Sequence, residues 1–146
     1  KENIPGGEIS IGLWVGSEVT PNHVVSDNPD LESAESILNK LQSGFVDEVK
    51  SSPVQLSTCP YCGEVLEPQN AYNIQKRHFK THCPNPACPF HEDLPVVTVD
   101  DDIYDRKPTL LIGTIDKFAR LAWEEKTKSI FAEDGIGFLP DLLIQD

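Results

Sequence analysis

All four cysteines of this 146-residue chain lie between positions 59 and 88, in two close pairs. Cys59-Pro60-Tyr61-Cys62-Gly63 supplies one pair and Cys83-Pro84-Asn85-Pro86-Ala87-Cys88 the other. Each pair can present two thiolates from one tight turn, and two such pairs joined by a longer loop have the spacing of a tetrahedral zinc site. In the first pair the proline restricts one backbone angle, and the glycine can take the left-handed conformation that turns backbone amides toward the sulfurs. Four sulfurs leave no coordination position for substrate or water, so Cys59, Cys62, Cys83 and Cys88 predict a structural zinc ion.

Other readings of the same residues stay open. Cys59 and Cys62 with His78 and His82 have a spacing that a two-cysteine, two-histidine finger accepts, although that leaves Cys83 and Cys88 unexplained. Disulfides or free thiols are a further alternative. A redox Cys-x-x-Cys would need a thioredoxin-like strand and helix around it, and the flanking residues do not provide them. With four cysteine ligands, His78, His82 and His91 become solvent-facing groups or neighbours of the ligands.

The rest of the composition limits function. The chain carries 24 acidic against 12 basic residues, a net charge of -12, which speaks against a freestanding nucleic-acid binder. A hydrophobic content of 38% with twelve prolines and nine glycines predicts much irregular chain, so that a metal would substitute for missing core in the middle. No apolar run is long enough to cross a bilayer, and no signal peptide opens the chain, which predicts no membrane partner and a reducing, cytoplasmic setting. A start at Lys1 and an end at Asp146, directly after a hydrophobic run, are read as a piece of a larger protein.

The pattern on either side of the cysteines is α/β. Residues 8–16 read as an interior strand of a parallel sheet, with apolar side chains on both parities. Residues 29–43 read as a helix capped by Asp27 or Asn28, with Leu31, Ala34, Ile37, Leu38 and Leu41 as its apolar stripe and Gly44 as its stop. Residues 51–95 form the metal lobe. Within it, residues 75–82 are the one basic cluster of the chain, able to meet a phosphate backbone, though a solvated hairpin needs no such role. Asp100, Asp101 and Asp102 read as a solvated turn. A buried strand at 108–114, a helix at 115–128 and a strand at 141–146 then make a parallel crossover unit, whose ligands collect at the carboxyl ends of the strands, where Thr114 and Asp146 stand.

Leu111-Ile112-Gly113-Thr114-Ile115-Asp116-Lys117-Phe118-Ala119-Arg120-Leu121 resembles motif Ib of superfamily-two helicases, and Leu142-Leu143-Ile144-Gln145-Asp146 resembles the start of their Walker B strand. Together with Ile9 to Gly16, Thr20-Pro21-Asn22 and the four-cysteine insert, these segments resemble the helicase-like component of the bacterial DISARM anti-phage system. The resemblance implies a partial RecA-like parallel sheet of the P-loop NTPase type, over residues 1–50 and 96–146, with a small zinc-ribbon insertion at 51–95. It implies that Thr114 and Lys117 hold phosphates of a nucleic acid, here DNA, that Arg120 lies on the same surface, and that Asp146 holds the magnesium of bound ATP. Defence-complex subunits would be further partners. No Gly-x-x-x-x-Gly-Lys-Ser/Thr occurs in the chain, so this piece alone should hydrolyse nothing. The reading from another class is a non-enzymatic interaction module built on the zinc lobe.

Overall fold

The apolar and β-branched runs form short strands, and the cysteine-rich segment lies between them. A computed structural model describes residues 9–119, 123, 125–131 and 140–144. In chain order the elements are β1 (Ile11–Trp14), α1 (Ala34–Gln42), β2 (Tyr72–Gln75), β3 (His78–Thr81), β4 (Val96–Val97), α2 (Asp100–Arg106), β5 (Leu110–Gly113) and α3 (Ile115–Ala119). Short 3-10 segments lie at Val46–Glu48 and Glu125–Phe131. The chain is thus a mixed α/β protein.

Strands β4, β1 and β5 form a parallel sheet in that order, with Ile11 opposite Val96 on one side and opposite Leu110 on the other. Burial is one-sided. Trp14, Val97, Ile103 and Tyr104 form a core, with Leu111, Phe118 and Ile130 packed against it, so α2 and α3 cover one face. On the other face Ile11, Leu110 and Ile112 remain exposed. The expected burial of residues 8–16 and 108–114 on both faces is therefore corrected: a parallel strand is apolar on both sides because helices cover both, and among the described residues helices cover only one. Leu142, Leu143 and Ile144, read as part of a strand at 141–146, are exposed and outside the sheet. Residues 145 and 146 lie outside the described residues.

Helix α1 is capped later than the sequence suggested. Ser33, in extended conformation, accepts from the backbone N–H of Ser36, and the Ser36 hydroxyl receives the Ser33 N–H, a reciprocal capping box that Asp27 and Asn28 cannot make from outside the helix. At its end Phe45 N–H bonds to the Lys40 carbonyl and Gly44 N–H to that of Leu41, with Gly44 at φ 86°, the paired bonds of a Schellman stop. Ala34, Ile37, Leu38 and Leu41 are buried as the stripe predicted, while Leu31, before the cap, is exposed.

Ala34 and Leu38 belong to a second core with Cys59, Leu66, Ala71, Tyr72, Phe79, Cys83, Cys88, Leu94 and Val99. The cysteine lobe and α1 therefore share one interior. Its antiparallel hairpin pairs β2 with β3 from Tyr72 opposite Thr81 to Gln75 opposite His78, and Lys76 and Arg77 alone make the turn. Both have positive φ, 50° and 65°. That is the backbone of a type I′ turn, whose preferred residues are Asn and Gly.

Trp14 is fully buried, donates its indole N–H to the Tyr104 hydroxyl at 3.2 Å and meets the rings of Tyr104 and Phe118 edge-on. Truncating it should open a cavity between the sheet and its helices. Trp14→Ala is expected to cost about 3–5 kcal/mol of unfolding free energy, measured by urea denaturation.

Candidate metal centre and the junction beside it

The first cysteine pair sits on a knuckle built by backbone bonds. Gly63 N–H donates to the Cys59 carbonyl at 2.9 Å and Cys59 N–H to that of Glu64 at 2.7 Å, with Gly63 at φ 77° where a side chain would be strained. The second pair is closed by Cys88 N–H to the Asn85 carbonyl and anchored by Cys83 N–H to that of Phe90. These two turns bring the sulfurs of Cys59, Cys62, Cys83 and Cys88 within 4.8 Å of one another. Cys59 and Cys88 are 3.9 Å apart and Cys62 and Cys83 3.5 Å. Four sulfurs at the usual zinc–sulfur bond length form a tetrahedron with edges of about 3.8 Å. The four cysteines could therefore hold a metal ion such as zinc.

The thiol chemistry agrees. Burial acts to raise the Cys59 thiol, but backbone hydrogen bonds from Cys62 and Tyr61, with bonds from neighbouring sulfurs, outweigh it and bring it down to about 7. Burial pushes Cys83 up to about 12 and raises Cys88 as well. Buried Cys83 and Cys88 resist ionisation chiefly because burial penalises a thiolate; a cation among the sulfurs would offset that penalty.

The histidines stand apart from the sulfurs. His91 places Nδ1 2.8 Å from the Cys83 carbonyl, beside a ligand rather than in its place. His78 is engaged by Asp102 at 2.6 Å. Burial, and then the charge of His91, lower His82 below the ordinary histidine value.

Asp100, Asp101 and Asp102, expected as a solvated turn, are instead the first turn of α2, and Asp100 and Asp102 are buried. Carboxylates suit a helix start, and each of these three is drawn to a different segment. Asp100 pairs with the Lys117 ammonium and accepts from the Tyr104 hydroxyl. Asp101 meets His23 at 3.1 Å, the Val24 N–H and Lys126. Asp102 accepts from the Phe79 N–H at 2.8 Å besides holding His78. Burial raises the Asp102 carboxyl, and the bonds from His78 and Phe79 oppose that.

Lys117 departs from its expected role. Its side chain is 1% exposed, and its ammonium is held by Asp100 and by Asn22 Oδ1 at 3.2 Å. An ammonium enclosed in this way is not presented to a phosphate. Thr114 is exposed at the carboxyl end of β5, bonded through its N–H to the Trp14 carbonyl, and its own carbonyl accepts from Lys117 N–H at the start of α3. Arg120 and Asp146 lie outside the described residues. Sequence reasoning missed Asn22, Asp100 and Asp102, whose partners are distant in the chain. The one signal was three carboxylates followed by Ile103 and Tyr104, the start of a helix.

No family model matches this chain. It is 37% identical over 132 residues to the DISARM protein DrmA of Bacillus paralicheniformis, an alignment covering 86% of this chain and 11% of that protein. The chain thus spans about a tenth of that relative's length.

Two outcomes follow from the geometry. Metal analysis should find about one zinc per chain, and chelation should unfold the lobe containing α1, since structural zinc contributes on the order of 10 kcal/mol; circular dichroism unchanged by chelation would refute the site. Lys117→Met should cost about 3–5 kcal/mol by removing the cation paired with buried Asp100, and adding Asp100→Asn should restore part of it in a double-mutant cycle.

Proposed function

We propose that this chain is part of the first motor domain of an ATP-driven, helicase-like nucleic-acid translocase acting in bacterial anti-phage defence, interrupted by a zinc-ribbon insertion. The observation that carries this reading is the 37% identity to a DISARM protein over 86% of the chain. The parallel order of β4, β1 and β5, with Thr114 exposed at the carboxyl end of β5, supports it, because ligands of open α/β sheets collect there.

In this reading the Thr114 hydroxyl holds one phosphate of the nucleic-acid strand in the intact protein, and Arg120 adds a second contact. Lys117 takes a different part from the one its motif position implies: by anchoring α3 to Asp100 it fixes the segment that follows Thr114. Asp146 holds the magnesium of bound ATP, and the phosphate-binding loop comes from elsewhere in the intact protein. The four-cysteine lobe is a zinc ribbon that keeps the insertion in shape. Protein subunits of the defence complex and a cytoplasmic site of action belong to the same proposal.

No helix among the described residues is long and apolar enough to cross a membrane. The alternative, a non-enzymatic interaction module, is separated by one assay. The intact protein should hydrolyse ATP in a DNA-stimulated manner, Asp146→Ala should abolish hydrolysis, and Thr114→Val should weaken the stimulation by DNA about tenfold. Absence of ATP hydrolysis by the intact, metal-loaded protein would refute the motor and leave the interaction module.

A further inference from the structure

Three non-glycine residues among those described have positive φ: Lys76 at 50°, Arg77 at 65° and Lys107 at 47°. All three are basic. All three also line one cleft, of about 610 Å³, between the β2–β3 hairpin and α2. Lys76 and Arg77 fill both central positions of a tight turn, and Lys107 is the left-handed cap that ends α2. Glycine or asparagine would sit in each position with less strain. Backbone strain concentrated at three cations that share a cleft points to a use for those cations.

The charge of the cleft departs from that of the chain. Lys76, Arg77, Lys107 and Lys126 line it together with only two carboxylates, Asp101 and Asp105, in a protein of net charge -12. Asp101 is already engaged by His23 and Lys126. Lys76 and Arg77 are exposed and have no ion pair among the described residues, whereas Lys40, Lys80, Arg106, Lys117 and Lys126 each have one. The hairpin cannot swing away freely, because Asp102 on α2 holds both the His78 ring and the Phe79 N–H immediately after the turn. The backbone that carries Lys76 and Arg77 is thus held beside α2.

We propose that this cleft binds the phosphodiester backbone of a nucleic acid, with Lys76, Arg77 and Lys107 as its phosphate contacts. Guanidinium and ammonium groups carried on an anchored turn and a helix cap along an open groove suit successive phosphates of one strand. The site is separate from Thr114. Helix α2 carries the chain from the carboxyl end of β4 back toward the amino end of β5, so Lys107 stands at the opposite end of that layer. The inference rests on the nucleic-acid part of the function proposed above and needs none of its ATP chemistry.

The test uses the zinc-loaded 146-residue chain and a fluorescein-labelled single-stranded oligonucleotide, with binding read by anisotropy across a salt series. Lys76→Asn with Arg77→Gly installs the turn's preferred residues, so the hairpin should melt no lower than in the parent chain. Binding should nevertheless weaken about tenfold, and the slope of log affinity against log salt should fall by about 1.4, as two single-strand phosphate contacts require. Lys107→Gly should lower the slope by about 0.7 with the fold retained. Unchanged affinity and slope in both variants, or no oligonucleotide binding by the parent chain, would overturn the proposal. So would displacement of the oligonucleotide by polyglutamate at equal charge concentration, which would make the cleft a site for an acidic protein. A missing ATPase in the intact protein would remove the motor and leave this result standing.

Discussion

Three adjacent carboxylates at the start of α2 hold the molecule's parts in register. Asp100 reaches Lys117 after β5, Asp101 reaches His23 and Val24 in the loop before α1, and Asp102 reaches His78 and Phe79 in the hairpin. Burying a carboxylate is costly unless charge and hydrogen bonds replace its water. The two buried ones, Asp100 and Asp102, therefore act as demands that particular partners be present. Neutral side chains could fill the same volume without specifying which segments meet there.

The four-cysteine lobe depends on this junction as well as on its sulfurs. Its hairpin buries Phe79 and Tyr72 against α1, and Thr98 donates to the Pro53 carbonyl, so several contacts outside the metal centre bind the lobe to its surroundings. A metal at the sulfurs would fix Cys59–Cys62 relative to Cys83–Cys88. The Asp102 bonds then carry that rigidity across to α2 and the sheet. The basic hairpin turn consequently faces α2 at a set distance, which is what makes a cleft of the space between them.

Several local patterns are legible in the sequence, although the Ser33–Ser36 capping box of α1, equally local, is not at the expected Asp27 or Asn28. The cysteine spacing, the stripe on α1, its glycine stop and the strand at β5 follow from turn chemistry and from periods of 3.6 and 2. Other errors appeared where the cause lay elsewhere. The motif position of Lys117 suggested a phosphate contact, but its neighbours in space are Asp100 and Asn22, which lie 17 and 95 residues away. The acidic run looked solvated because its charged partners, Lys117, His23, His78 and Lys126, lie 17, 78, 24 and 25 residues away.

What the sequence determined by itself was the spacing by which Cys59, Cys62, Cys83 and Cys88 form a cluster that could hold a metal ion, and the α/β alternation around them, because spacing and hydrophobic period are properties of neighbouring residues. The tertiary structure decided which charges are enclosed in ion pairs and which are brought into one cleft. Lys117 disappears into an ion pair, the three aspartates become a joint, and Lys76, Arg77 and Lys107 gather from separate segments into one cleft. A charge's role is set by the desolvation and partners it meets after folding, and those come from residues far away in the chain.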